Sequence, residues 1–167
     1  QDYYDLQLDN TGVSQLIIFQ NSITSLEPGD EIGIFDSSGI TNSGDCSSQT
    51  AELLVGAGVW SGEQLELVNI GSVDNCAFGG FQLPGYQEGN SVLIKVYRSS
   101  TELEYTTIPI YSAGTGTFGD LFMAVSEINL YDEDAGCTDP LACNYDLNAT
   151  IDDGSCQYDL DCLGECG

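Results

Sequence analysis

The chain has 167 residues, and 27 acidic side chains against two basic ones, Lys95 and Arg98, give a formal net charge of −25. Phosphate binding needs clustered Lys and Arg, so nucleic acid and anionic membrane surfaces are excluded as partners, and no apolar run is long enough for membrane insertion. Histidine is absent, which removes Ser-His catalysis and argues against zinc. The seven cysteines therefore indicate disulfides formed in an oxidising, extracellular compartment.

Residues 1–131 predict an all-β domain, because short apolar and β-branched runs alternate with turns rich in Gly, Asn, Asp and Ser. No stretch shows sustained helical periodicity. The predicted strands are Tyr3–Leu8, Ser14–Gln20, Glu31–Asp36, Ala51–Val59, Gln64–Ile70, Ser91–Tyr97, Glu104–Ile110 and Phe122–Leu130. Short strands at this spacing predict an antiparallel β-sandwich of two sheets, either a jelly roll or immunoglobulin-like.

Two features in the loops of this domain invite a specific interpretation. Cys46 and Cys76 lie in separate predicted loops, and we expect them to form a disulfide; the alternative is two free buried thiols. Asp30, Glu31 and Asp36 surround one predicted strand and suggest a second calcium site. A solvated turn followed by a strand-end carboxylate explains these acids better.

Aromatic side chains near the glycine-rich segments raise the question of sugar binding. Trp60, Phe78, Phe81 and Tyr86 lie in or beside such segments, with Asp and Asn nearby. Exposed rings of this kind stack on sugars, whereas core packing accounts for most Trp and Phe residues in a sandwich. For Trp60 we expect core packing.

Residues 132–167 form a second segment of different composition. It holds five of the seven cysteines and ten carboxylates, with no Lys or Arg. A stretch so acidic and so poor in large apolar residues cannot fold by burying a core. We therefore expect a small irregular segment that is held by disulfides and by bound cations.

A calcium loop is the strongest chemical motif in this segment. Oxygen-bearing side chains alternate with apolar or small ones, as in a chain that wraps an ion, and a glycine at 154 allows a turn away. The candidate ligands are Asp146, Asn148, Thr150, Asp152 and Asp153, with Asp139 and Asn144 as further candidates. The pattern lacks the glycine and the final glutamate of an EF-hand. The alternative is a solvated acidic loop that disulfides alone keep ordered.

The tail cysteines add two expectations. Cys143 and Cys156 bracket the candidate calcium loop, so they are placed to clamp it. The full set in this segment is Cys137, Cys143, Cys156, Cys162 and Cys166. Five cysteines cannot all pair with one another, so one of them is free, pairs with Cys46 or Cys76, or links to another unit.

Residues 136–156 read GCTDPLACNYDLNATIDDGSC. This run resembles the Cys/Asp-rich repeat of large secreted and surface proteins of Bacteroidota-type bacteria, and residues 158–167 continue the pattern. Leu147 departs from it, since proline is common there. The segments 26–36, 55–62 and 92–97 look like a β-sandwich module of the same proteins. The resemblance implies a disulfide-bonded, calcium-loaded spacer at the bacterial cell surface, and it does not imply an enzyme.

Two functions follow as competing hypotheses. The first is a structural module that assembles with copies of itself, or with neighbouring repeats, head to tail into a filament, stalk or adhesin. The second is a carbohydrate-binding module of a secreted multi-domain protein, with surface glycans as partners. A hydrolase is disfavoured, because so many acids make chance carboxylate pairs certain and none is singled out.

Overall fold

The computed structural model describes residues 2–132, 135–147, 149, 151–152 and 154–158. It divides the chain into two compact units, Gln1–Leu130 and Tyr131–Gly167. This division lies next to the boundary predicted from the change in composition. Among the described residues, no helix has the length and apolar character needed to cross a lipid bilayer.

The regular structure of the first unit consists of strands, with almost no helix, which confirms the all-β class. Its elements are β1 (Ser14–Phe19), β2 (Glu31–Ile40), β3 (Thr50–Val59), β4 (Leu65–Ile70), β5 (Val73–Asp74), β6 (Gln82–Leu83), β7 (Val92–Arg98), β8 (Leu103–Ala113) and β9 (Met123–Tyr131), with one 3₁₀ turn at Cys76–Phe78. Seven of the predicted runs overlap β1, β2, β3, β4, β7, β8 and β9. The turn chemistry and the alternation of apolar residues therefore located these strands correctly.

Seven of these strands form one curled sheet, β5 and β6 pair in a separate two-stranded sheet, and the predicted two-sheet sandwich is not confirmed. The seven-stranded sheet has the strand order β3-β2-β7-β8-β9-β1-β4. Its two end strands, β3 and β4, contact each other, so the sheet forms a near-closed barrel. A Cβ added at Gly56 of β3 would lie 2.1 Å from Asn69 Oδ1 of β4, so glycine permits this close approach. The prediction of purely antiparallel pairing is wrong at one place, because β1 pairs in parallel with β9. Alternation along a strand does not show which neighbour it pairs with.

The core lies inside the curl, where alternate residues of each strand point. Fully buried side chains include Trp60, Phe19, Phe118, Ile17, Ile32, Ile34, Ile94, Val55, Val96, Met123 and Val125. Burying each large side chain contributes about 2 kcal/mol. The other face of β2 and β7 points outward and carries Phe35 and Tyr97, which receive the N-terminal segment.

That segment is the predicted strand that does not form. Tyr3–Leu8 has no strand structure, and residues 2–11 instead form an irregular N-terminal strap, with Tyr3 and Tyr4 against the outer face and Leu8 against the core. The backbone N–H groups of Tyr3 and Tyr4 donate to the Glu31 carboxylate, 2.6 and 3.2 Å away, and not to a neighbouring strand. A carboxylate has thus replaced the β-ladder partner, which alternation alone does not reveal.

The second unit is small and irregular, as its composition predicts. It contains two short strands, β10 (Ala135–Gly136) and β11 (Ile151–Asp152), which pair in parallel. Among its described residues, the buried apolar side chains are Cys137 and Ala142. A disulfide between Cys137 and Cys156 closes this unit. Covalent and polar bonds therefore do here what a hydrophobic core does in the first unit.

Candidate functional site

Strand β10 is the scaffold of the candidate calcium site. Gly136 pairs with Asp152, and the next residue along, Cys137, bridges to Tyr145 and accepts a hydrogen bond from Asp146 N at 2.9 Å. A Cβ added at Gly136 would lie 3.4 Å from Asp146 Oδ2, so this glycine leaves room beside the carboxylate. The backbone thus brings two of the predicted ligands, Asp146 and Asp152, to the same short strand.

The turn after these residues forms as the sequence predicts. Asp152 Oδ1 accepts a hydrogen bond from Gly154 N at 3.2 Å, and Gly154 has a φ of 73°. Glycine adopts this left-handed conformation without steric cost, and an aspartate two residues earlier caps the turn. One oxygen of Asp152 is therefore partly committed to holding the loop.

Asp139 and Asn144, the two further candidates, are engaged by protein groups. Leu141 N and the Tyr158 hydroxyl donate to Asp139 at 2.9 and 2.7 Å, and these two bonds lower the pKa of Asp139 despite some desolvation. Asn144 donates to Ser155 O and accepts from Gln157 N at 2.7 Å. Both side chains join separate parts of the unit, a structural role that sequence spacing did not indicate.

The remaining predicted ligands, Asn148, Thr150 and Asp153, lie outside the described residues, as do Cys162 and Cys166. In the part of the chain that the structure describes, no group of three or more His, Cys, Asp or Glu side chains is placed to hold a metal ion. Calcium also accepts amide, hydroxyl and backbone oxygens, and the donors present are hard oxygens of this kind. The residues fit calcium in their chemistry, and the calcium site stays a prediction.

The loop is clamped by a different pair of cysteines from the one predicted. Cys156 bonds to Cys137, 19 residues earlier, and not to Cys143. Cys143 is itself disulfide-bonded. Because Cys137 directly follows β10, which pairs with the candidate loop at Ile151–Asp152, the clamp fastens the loop beside its own scaffold strand. The predicted pairing of Cys46 with Cys76 in the first unit is confirmed.

The suggested second calcium site does not assemble, and the solvated turn preferred for these acids is wrong as well, because Asp30 and Asp36 are buried. Asp30 is 1 % exposed and receives two hydrogen bonds from the Arg98 guanidinium, at 2.9 and 2.7 Å. Glu31 holds the strap. Asp36 is fully buried and accepts hydrogen bonds from Ser38 N, Gln87 N and the Asn90 amide. Each carboxylate is thus satisfied by separate protein donors.

The four candidate sugar-binding aromatics separate into two pairs. Trp60 is buried, so the core packing expected for it is confirmed. Tyr86 is also buried and stacks on Phe118, with ring centroids 4.4 Å apart. Phe78 and Phe81 are 91 % and 49 % exposed. Their loop is anchored by the Cys46–Cys76 bridge and by the buried Gln82 amide. This pair is the part of the aromatic prediction that remains open.

Sequence reasoning missed the amide network beneath that loop. Gln82 accepts from the Asn42 amide at 3.0 Å and from Ser48 N at 2.9 Å, and it donates to Asp74. Polar residues in a loop carry no signal of burial, so the network could not be read from composition.

Comparison with protein-family models, with curated proteins and with solved structures finds no match.

Proposed function

We propose that this chain is an extracellular structural module that assembles head to tail into a bacterial surface filament, stalk or adhesin, stabilised by calcium and disulfides. The observation that carries the proposal is the construction of the second unit. Its Cys137–Cys156 bridge fastens an acidic loop to β10, while few of its described side chains are buried. Such a unit is suited to join larger domains, and its sequence resembles a surface-protein spacer.

The distribution of charge supports a need for calcium. The chain has 27 acids but only two basic residues, and both are already paired, Lys95 with Glu52 at 2.7 Å and Arg98 with Asp30. Other acids therefore repel one another without a basic side chain to offset them, which destabilises a compact state. Divalent cations bound at Asp146, Asp152 and their neighbours would relieve this repulsion.

The near-closed barrel affects how such a filament would be linked. Exposed sheet edges often pair with a strand of another chain. Here the end strands β3 and β4 pack against each other, with Gly58 close to Leu67. This arrangement favours links through the second unit or through surface segments over edge-to-edge pairing.

Calcium titration of the full chain tests the proposal. We expect isothermal titration calorimetry to detect binding, with a raised unfolding temperature and a larger sedimentation coefficient in the same calcium range. Asp152→Asn and Asp146→Asn should weaken binding, because each removes a formal charge near β10. Glu66→Gln, at an exposed position of β4, is the matched control and should bind as the parent does. Absence of calcium binding and of association would contradict the proposal.

A carbohydrate-binding module is the second candidate, and the exposed Phe78 and Phe81 rings favour it. A disulfide-anchored loop holds both rings, with Asp74 and Asn75 beside them in sequence. Binding to a glycan array that is lost in Phe78→Ala but kept in Leu121→Ala, another fully exposed apolar side chain, would support this function. Silence across plant, algal and bacterial polysaccharides would contradict it.

A further inference from the structure

The N-terminal strap is attached to the barrel in an unusual way. Within the described residues, no backbone group of residues 2–11 forms a hydrogen bond with another backbone group. The strap is held by side chains. Glu31 makes the two bonds described above, and Glu104 accepts from the Tyr4 hydroxyl at 3.0 Å. The Thr11 hydroxyl donates to Gly71 O, and Leu8 packs against the core. A segment held by so few bonds can leave its site without breaking the β-ladder.

Two tyrosines fix the strap in a specific site on the outer face. The Tyr3 ring stacks on Tyr97 with centroids 3.8 Å apart and an interplanar angle of 2°. The Tyr4 ring, 7 % exposed, lies over Gly33 and meets Phe35 edge-on at 5.6 Å. Gly33 is needed here because a Cβ would lie 3.0 Å from the Tyr4 ring. We call this site the strap notch, formed by Glu31, Gly33, Phe35, Tyr97 and Glu104.

The strap ends at a hinge. Asn10 Oδ1 accepts a hydrogen bond from Gly12 N at 2.8 Å, and Gly12 has a φ of 87°. Beyond the hinge, Val13 O accepts a hydrogen bond from Gly71 N at 2.9 Å, so this part of the chain is fixed to the barrel. A glycine in open space can take another conformation and redirect the strap while β1 stays in place.

We propose that the strap is exchanged between copies of this chain, so that Tyr3 and Tyr4 of one copy fill the strap notch of the next. This inference deepens the proposed assembly and rests on it. A second copy is the occupant that fits, because every copy carries the same two tyrosines and the same notch. Repeated in one direction, the exchange is a heterologous contact that builds an open filament.

The same contacts form within one chain and between chains, so their free energy largely cancels between the two states. The balance is then set by the local concentration of straps around a notch. A short flexible tether gives an effective concentration on the order of millimolar. Subunits already linked head to tail in a filament present the strap of one copy to its neighbour at a similar concentration. Exchange is therefore expected in the assembled state, and a strap docked on its own barrel in dilute solution.

Photo-cross-linking distinguishes the two states. The photoreactive analogue p-benzoyl-phenylalanine replaces Tyr3, which is half exposed and whose ring lies against Tyr97. Isotope-light and isotope-heavy full-length chains are mixed, assembled in calcium, irradiated and analysed by mass spectrometry. Exchange predicts cross-links from position 3 to the Tyr97 region that join a light and a heavy chain. The analogue at Ile108, exposed on β8, is the control and should not reach Tyr97.

The outcomes separate this inference from the proposed function. Filaments whose position 3 cross-links join only chains of one isotope overturn the exchange and leave the filament intact. Mixed-isotope cross-links in dimers without filaments support the exchange and count against the filament. Compact monomers with cross-links only within one chain overturn both. Gly33→Val fills the notch and should abolish mixed-isotope cross-links, and Tyr4→Ala should do the same from the strap side without crowding β2.

Discussion

Replacing Arg98 by methionine removes the cation of a buried ion pair. The Asp30 carboxylate is 1 % exposed, and the guanidinium contacts both of its oxygens, at 2.9 and 2.7 Å. Arg98 also donates to Ser25 O, so it holds the turn before β2 from two directions. In Arg98→Met, Asp30 keeps the hydrogen bond from Glu27 N but has no opposite charge beside it.

The magnitude follows from the burial of the two partners. Removing one partner of a buried pair costs about 3–5 kcal/mol, since the other charge is left uncompensated. Arg98 is 14 % exposed, so water reaches the site, and we expect the lower end, about 3 kcal/mol. This corresponds to a fall in Tm of about 10 °C for a unit of this size. Lys95→Met is the matched control: its partner Glu52 is 47 % exposed, so the expected loss is about 0.5 kcal/mol.

Urea unfolding followed by tryptophan fluorescence measures both variants. The chain has a single tryptophan, Trp60, which is buried and donates from its backbone to Asp30 O at 2.8 Å. The double variant Asp30→Asn with Arg98→Met should regain part of the loss, because the unpaired charge is gone. An Arg98→Met variant that loses no more stability than Lys95→Met would refute the reasoning.

Three further predictions concern the first unit. Removing the Cys46–Cys76 bridge, which spans 30 residues, should cost about 3–4 kcal/mol in urea unfolding by the chain-entropy model. Gly56→Ala places a Cβ 2.1 Å from buried Asn69 Oδ1 and should cost about 2 kcal/mol. The third prediction concerns the pKa of Glu127. Desolvation raises this pKa, but hydrogen bonds from Ile128 N and Thr24 outweigh it and hold the pKa below its ordinary 4.5. Its stabilisation is therefore complete above that pH and is lost as pH falls through the folded-state pKa.

Each of these has a control that fixes its interpretation. Reduction should destabilise the first unit of the parent, because it breaks the Cys46–Cys76 bridge. The variant that lacks both cysteines has no such bridge to lose, so reduction should leave the stability of its first unit unchanged. Ala51→Ser, at an exposed position of the same strand as Gly56, should change stability by less than about 0.5 kcal/mol. Glu127→Gln should be less stable than the parent near neutral pH, and the gap should narrow on acidification. A gap that widens on acidification would contradict the assigned pKa direction.

The sequence predicted the elements of this fold better than their arrangement. Strands such as β2 and β7 carry apolar residues and are bounded by Pro-Gly or Gly-Asn turns, so local chemistry determines them. Closure of the barrel depends on small residues at Gly56 and Gly58 lying opposite β4, which is a tertiary relation. The parallel pairing of β1 with β9 is of the same kind, because no local signal in either strand specifies its partner.

Side-chain replacement of backbone partners explains the other differences. Apolar and polar residues alternate in Tyr3–Leu8 as they do in a strand, but the backbone N–H groups of Tyr3 and Tyr4 donate to the Glu31 carboxylate and not to a neighbouring strand. Asn144 likewise spans two backbone segments and is not free to act only as a ligand. The disulfide between Cys137 and Cys156 follows from the pairing of β10 with the candidate loop, which spacing alone did not reveal.

Negative-stain electron microscopy of the native material, with calcium and then with EDTA under non-reducing conditions, tests the central claim most directly. A module joined by calcium and disulfides predicts rod-like particles that shorten or come apart when EDTA is added. Restored calcium should then restore the rods. Compact particles of uniform size, unchanged by EDTA and by reductant, would contradict the account.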